Sequence, residues 1–353
     1  MKICHVNLAS GYHGGENQTL VLMKQQLAMG YDLTLVANPK SPLVDAARLL
    51  NCRVVLAKSF LHAHQITVTA NCLCVHVHEG RAIYWALLQK ILHKIPYLVT
   101  RRIDNPLKKK WLSKLAYENA EMVIGLSTEI VRRIQATYPH CITHKIPSSP
   151  VSYPVDEEQV KAIKAQFGHR FLVIQAANML KHKGFDVSIA AARLLQHHRD
   201  ILFVLLGDGQ ERRELTVAAQ NLNNVVFMGK QQQMGTWFKA ANMLIHPAYS
   251  EGLGSVILEA LDSGLPVIAS NTGGIPDIIE QGISGLLIKP GDAQGLANAI
   301  VSMRQDTELR TRLITGGKKK LQDFDIHNTA ARYAQLYQQI SSARHRLIER
   351  QNP

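Results

Sequence analysis

No stretch of this sequence approaches the run of about 18 apolar residues that a membrane-spanning helix needs, so no spanning helix is encoded. The opening segment, Met1-Lys-Ile-Cys-His-Val-Asn-Leu8, is too short and turns polar too soon for a signal peptide; it reads as a first strand. The cysteines are few and odd in number: Cys4, Cys52, Cys72, Cys74 and Cys141, with no CxxC pair. That usage fits buried thiols in a reduced, cytoplasmic protein and gives no zinc motif. Aromatic residues make up 6% of the chain and no nucleic-acid motif is present, which argues against nucleic acid as a partner. A GxGxxG dinucleotide fingerprint is missing too, as are short repeats and low-complexity segments.

What is present is the composition of a folded protein, 46% hydrophobic and 19% charged over 353 residues, a length for two domains that each bury a core. The net charge of +13 is uneven: residues 1–150 hold 18 Lys+Arg against 8 Asp+Glu, the remainder 22 against 19. A basic first half by its charge fits nucleic acid, an anionic membrane surface or an anionic substrate.

Short β-rich runs alternate with helical patterns, the signature of βαβ units around parallel sheets. The first series comprises Ile3–Leu8, Leu33–Ala37, Val54–Leu56, Leu73–His78, Tyr97–Thr100, Met122–Gly125 and Thr143–Ile146. Helical patterns between them include Asn17–Met29, Ala82–Leu92, Lys109–Asn119 and Thr128–Thr137. The segment from Lys145 to Val155, with three prolines and three serines, reads as a linker. A second series follows: Phe171–Ala176, Ile201–Leu206, Val225–Met228, Met243–His246, Val267–Ala269 and Gly285–Ile288. The expected class is therefore α/β, with two Rossmann-like doubly wound domains, 1–150 and 151–326. Ligands of such sheets bind outside the carboxyl ends of the strands, which places the expected site in an interdomain cleft.

Several strand ends carry residues suited to an anionic, hydroxyl-rich ligand. Glu251-Gly-Leu-Gly-Ser-Val-Ile-Leu-Glu259 joins a short apolar strand to a helix. Its Gly252, Leu253 and Gly254 allow a sharp turn, Ser255 fits the N-cap, and free amides there suit phosphate. Glu251 flanks that point and Glu259 lies about one turn into the helix on the same side. An ordinary strand–turn–helix crossover with two solvated glutamates fits the same residues. Gly14 and Gly15 open a helix after the first strand, where backbone can approach phosphate; a plain tight turn is the alternative. Lys183, before Gly184 at another helix entrance, can place a cation against a diphosphate. Leu206-Gly-Asp-Gly209 is a strand-to-helix turn whose glycines fit close packing.

In Val75-His-Val-His78, His76 and His78 share a strand face, but no further metal ligand sits at a supporting spacing. A histidine lining a site beside Arg101 and Arg102 is the functional alternative to a structural one. Asp323-Phe-Asp325 reads as the cap of the last helix. Leu107, Trp111 and Leu115 recur every fourth residue among Lys108, Lys109, Lys110 and Lys114. That segment is either an interfacial amphipathic helix or a core-packed helix with a solvated face.

Taken together these residues resemble the family-four retaining glycosyltransferases of the GT-B fold, the group 1 type. The Glu251–Glu259 segment matches the family's Glu-x7-Glu motif. Pro266–Ser270, Gly273–Asp277 and Gly282–Ile288 follow in its order, with Gly14-Gly15, Lys183-Gly184 and the Leu206–Gly209 turn. The resemblance implies transfer of a hexosyl-type sugar from a nucleotide sugar, with a UDP-sugar favoured, with retention and without cofactor or metal. It gives Lys183 and the amides around Gly254–Ser255 to the donor diphosphate, Glu251 to the sugar hydroxyls and Glu259 to the ribose. Gly15 approaches phosphate, Gly229, Lys230 and Gln231 line the base pocket, and His78 lies near the reacting carbon. Residues 1–150 then bind the acceptor, and 327–353 form a helix crossing back to them. Where the family often has Arg, this chain has Asn178, which donates hydrogen bonds but brings no charge.

The basic half, including Arg101, Arg102, Lys108, Lys109, Lys110, Trp111 and Lys114, fits a saccharide or lipid-linked acceptor. By analogy that acceptor is a growing envelope glycan such as lipopolysaccharide, at the inner face of the cytoplasmic membrane. A nucleotide-sugar epimerase on the same scaffold and a non-catalytic basic binding protein are the alternatives.

Overall fold

The computed structural model describes residues 1–11, 14–103, 106–107 and 110–351, with only the helical backbone for 344–351. The chain forms two compact units: Met1–Ser149 together with the chain from Phe324 onward, and Pro150–Asp323.

In the first unit seven described strands form one parallel sheet. They are β1 (Lys2–Asn7), β2 (Asp32–Ala37), β3 (Arg53–Leu56), β4 (Cys74–Val77), β5 (Tyr97–Arg101), β6 (Met122–Gly125) and β7 (Thr143–Lys145). The spatial order is β3-β2-β1-β4-β5-β6-β7, so the winding reverses between β1 and β4. The central strands are buried on both faces, β1 and β4 throughout except Lys2, because helices cover each side, while the edge strands β3 and β7 are partly exposed. The covering helix Gly14–Ala28 starts at the glycine pair itself, three residues earlier than its apolar pattern, which begins at Asn17. The helix Ile326–Gln351 completes the unit's core. Ala330, Tyr333, Leu336, Tyr337 and Ile340, at helical spacing, are all buried there. Asp325 Oδ1 accepts from the amides of His327 and Asn328, the capping role read from the sequence.

The second unit holds β8 (Phe171–Ala176), β9 (Ile201–Leu206), β10 (Val225–Gly229), β11 (Met243–His246), β12 (Val267–Ser270) and β13 (Leu286–Ile288). Their order is β10-β9-β8-β11-β12-β13, again all parallel, reversing between β8 and β11. The all-apolar β9, Ile-Leu-Phe-Val-Leu-Leu, is buried at every position. Two doubly wound parallel sheets are thus the observed architecture, and every strand anticipated from sequence is present within a residue or two at its ends. Short helices such as Leu43–Arg48 and Ile66–Thr69 were not legible, being too brief to show a period. Among the described residues no helix is long and apolar enough to cross a membrane.

Candidate active site

Each sheet offers one place where neighbouring connections leave in opposite directions, and that is where a doubly wound sheet opens to a ligand. In the second unit this point lies past the ends of β8 and β11, and the sequence-derived residues converge on it. Lys183 Nζ donates to Glu251 Oε2 at 2.6 Å, His246 Nε2 meets the same oxygen at 2.8 Å, and the Gly252 amide donates to Glu251 Oε1 at 3.1 Å. Burial alone would push the Glu251 carboxyl up. The His246 hydrogen bond and the Lys183 ammonium outweigh it and hold the carboxylate well below the usual range.

Backbone packing fixes this cluster. Gly184 has φ +69°, and a Cβ on it would lie 1.9 Å from the Pro247 carbonyl oxygen, so the Lys183-Gly184 turn sits directly on the exit of β11. Gly273, at φ +55°, leaves only 1.8 Å for a Cβ against the Glu251 carbonyl oxygen, which also accepts from the Gly274 amide at 3.0 Å. Buried Gln175 on β8 donates to the Lys183 carbonyl at 2.8 Å and accepts from Ser188 at 2.6 Å. The glycines of the Leu206–Gly209 turn pack against the backbone of Ala177 and Met179, a structural role.

The helix Ser255–Asp262 is capped by Gly254 in the left-handed conformation; Ser255 is its first residue rather than its N-cap, and its side chain makes no capping bond. Leu253 and Gly254 are buried beneath this turn. Glu259, one turn in, is half-buried, and that burial pushes its carboxyl up to about 8, against a lowering hydrogen bond with Tyr153. Asn178 is exposed just past β8. Gly229 ends β10 with Lys230 exposed beside it. The Gln231 amide is held by the Met228 carbonyl at 2.6 Å and the Trp237 indole at 3.1 Å.

The corresponding point of the first sheet gathers Gly14, Gly15, His78 and Arg102. Arg102 lies over Gly15, whose Cβ would sit 3.5 Å from the Arg102 Cδ, and donates to Ser148 and to His78 Nδ1, at 3.3 and 3.2 Å. Arg102 is therefore part of the His78 cluster, as the sequence reading of a histidine beside Arg101 and Arg102 anticipates. Arg101 donates to the Tyr117 hydroxyl at 3.3 Å.

Sequence reading found no third ligand for His76 and His78; the sheet supplies one, His5 from β1, and ligand atoms of the three lie within 4.8 Å of one another. Their nitrogens are committed elsewhere. His5 Nδ1 and His78 Nε2 share a hydrogen bond at 2.8 Å, His5 Nε2 bonds Gln26, and His76 bonds Tyr337 and Thr100. With Arg102 on the last nitrogen, every ring nitrogen of the three has a hydrogen-bond partner, and burial holds all three imidazoles below their ordinary range, hence neutral.

In the helix Trp111–Glu118 the residues that turn inward are Ser113, Ala116 and Tyr117. Trp111 and Leu115 face solvent, 75% and 38% exposed, beside exposed Lys110 and Lys114. The helix therefore packs on the core through other residues and leaves Trp111 and Leu115 on its solvated face, while Leu107 precedes the helix and is half-buried. Lys108 and Lys109 lie outside the described residues.

Residues 156–320 match the model of the family Glycosyl transferases group 1. An uncharacterized glycosyltransferase of Methanocaldococcus jannaschii is 24% identical over 279 residues, 76% of this chain and 75% of the relative. The lipopolysaccharide core biosynthesis glycosyltransferase LpsE of Rhizobium meliloti is 33% identical over 153 residues, 42% of this chain and 44% of the relative. The chain thus spans three quarters of the first relative's length and under half of the second's. Among solved structures, HepE of Anabaena in complex with UDP superposes with a TM-score of 0.83 at 20% identity, covering 96% of this chain and all of that one. The same protein is also described with UDP-glucose, again at a TM-score of 0.83. Residues 156–320 thus match the group 1 glycosyl transferase family, and the fold over nearly the whole length is the GT-B fold.

Proposed function

We propose that the chain transfers a hexosyl-type sugar, with retention, from a nucleotide sugar to a saccharide acceptor. The observation that carries this reading is the Lys183–Glu251–His246 cluster at the switch point of the second sheet, beside the amides that open the helix Ser255–Asp262. Lys183 and those amides supply positive charge for a leaving diphosphate without a metal ion. The Glu251 carboxylate, kept ionised by its two donors, accepts hydrogen bonds from sugar hydroxyls. Glu259 takes the ribose, and the main chain from Gly229 to Gln231 borders the base. The UDP and UDP-glucose complexes of HepE favour a UDP-sugar donor. In a front-face reaction the leaving phosphate oxygen helps deprotonate the acceptor, so no protein base is needed at that step.

The first unit takes the acceptor in this reading, with His78, Arg102 and Gly15 at its switch point. The exposed Trp111, Leu115, Lys110 and Lys114 favour an acceptor held at an anionic membrane surface. LpsE, a lipopolysaccharide core enzyme, points to an envelope glycan of that kind.

The test is nucleotide release with UDP- and GDP-sugars in the presence of a chelator. Lys183→Ala and Glu251→Ala are each expected to lower release by about a hundredfold or more, the scale of losing one charge-stabilising group. Turnover equal to that of the unaltered protein would sink the assignment of both residues. Loss of all release on adding the chelator would overturn the metal-free reaction.

A further inference from the structure

The buried polar groups of the first unit form one continuous hydrogen-bond chain. Arg102 Nη2 donates to His78 Nδ1 at 3.2 Å, and a guanidinium has donors only. His78 therefore carries its proton on Nε2 and donates it to His5 Nδ1 at 2.8 Å. That in turn places the His5 proton on Nε2, which donates to Gln26 Oε1 at 2.8 Å. The other end of the same amide, Gln26 Nε2, donates to the Tyr337 hydroxyl at 2.9 Å. Tyr337 then gives its own proton to His76 Nδ1 at 2.7 Å, and His76 Nε2 donates to Thr100 Oγ1 at 2.8 Å. Thr100 closes the series on the Tyr333 hydroxyl at 2.8 Å. Each link between Arg102 and Tyr333 accepts on one side and donates on the other, so the direction imposed by one cation runs through eight side chains. Five elements contribute: β1, β4, the end of β5, the helix Gly14–Ala28 and the helix Ile326–Gln351.

We propose that this chain fixes the tautomer and position of His78, and that Tyr337 is a positioning residue for transfer, acting from the C-terminal helix through Gln26 and His5. The proposal rests on the reading that places His78 at the reaction. Its physical basis is that a buried polar chain is stable only when every member is satisfied, so a gap at one link frees its neighbours to turn. The ionisable groups facing the three rings are Arg102, Tyr333, Tyr337 and the rings themselves; Glu16 faces Arg102 and Cys74 faces Tyr337. Burial keeps the imidazoles neutral, which lets each serve as a one-way link.

The experiment uses the full chain with 15N-labelled histidine. Ring nitrogen spectra are expected to show His5, His76 and His78 neutral with the proton on Nε2 from about pH 6 to 8, where a free imidazole would titrate. A proton on Nδ1 of any of the three, or titration within that range, overturns the chain. Tyr337→Phe removes one hydroxyl and keeps the ring. It is expected to disturb the His78 Nε2–H signal and to lower kcat about tenfold or more with donor KM within about twofold, the signature of lost positioning. A change confined to His76, with kcat intact, would overturn the role of Tyr337. Gln26→Leu cuts the chain at another link and is expected to act in the same direction, which covers the case in which Tyr337→Phe fails to fold. Should the unaltered protein show no transfer at all, the reading of the site fails, while the histidine spectra still decide the chain.

Discussion

At the scale of single residues, Glu251 and Glu259 share one turn and helix yet sit in opposite environments. Glu251 meets a lysine, a histidine and an amide, so its charge is compensated at short range. Glu259 has burial working against its ionisation, and its carboxyl is pushed up to about 8. A carboxyl raised in the folded protein favours folding fully below its unfolded value near 4.3, and that contribution is lost as pH rises through the folded one. Glu259→Gln is neutral throughout, so its advantage over the native residue should grow as pH rises above the unfolded value and level off above the folded one. The expected outcome is an equal Tm near pH 4 and a higher Tm for the variant at pH 8.5, by about 2–4 °C for each kcal/mol recovered. A Tm difference independent of pH would remove burial of Glu259 as the cause. If this carboxylate takes a ribose, the same variant should bind UDP more weakly even while it melts higher.

At the scale of elements, the strand-to-helix turns do the placing. The sequence made them legible because each couples a β-rich run to glycine and then to a helical pattern. The Glu251–Glu259 and Lys183-Gly184 turns could be matched before any coordinates. Partners contributed from other strands could not. His5 lies in β1, far along the chain from β4, and Gln175 looks like one more strand residue until its amide meets the Lys183 carbonyl. The direction of the Trp111 face was equally hidden, since a four-residue apolar spacing fits a core or a surface. Two measurements test what these elements do. Gly184→Ala must place a methyl at φ +69° against the Pro247 carbonyl. It should cost about 2–4 kcal/mol in urea unfolding, the sum of backbone strain and overpacking. For the helix Trp111–Glu118, Trp111 fluorescence should shift to the blue with vesicles rich in anionic lipid. Reversing Lys110 and Lys114 to Glu should weaken that binding by about 2 kcal/mol or more, at about 1 kcal/mol for each lysine removed. Because Trp111 is 75% exposed, Trp111→Ala should leave Tm unchanged while abolishing the signal. Equal binding to neutral vesicles would leave the lysines without a role.

At the scale of the whole molecule, the chain leaves the first unit at Ser149, builds the second as far as Asp323, and returns to finish the first. The returning helix is an integral part of the first core. Ala330, Tyr333, Leu336, Tyr337 and Ile340 are each buried to within a few per cent; Tyr333 ends the polar chain and Tyr337 links Gln26 to His76 within it. Burying an apolar or aromatic side chain contributes about 1.5–3 kcal/mol. The four large ones together approach the whole net stability of a domain, about 5–15 kcal/mol. Ending the chain after Asp323 should therefore unfold residues 1–149, whose own sequence lacks those side chains, rather than trim a terminus. The second unit keeps its complete sheet and core, and with them Lys183, Glu251 and Glu259. Nucleotide binding should survive in the shortened chain. UDP at about a hundred times its Kd would raise the stability of that unit by about 2.7 kcal/mol in either version. Calorimetry and histidine NMR can read the two outcomes separately: a lost transition with dispersed signals missing for His5, His76 and His78, and a UDP-dependent transition that remains. Persistence of the His5, His76 and His78 signals would show that the first sheet folds without its last helix, and would place the stability of this unit in residues 1–149 alone.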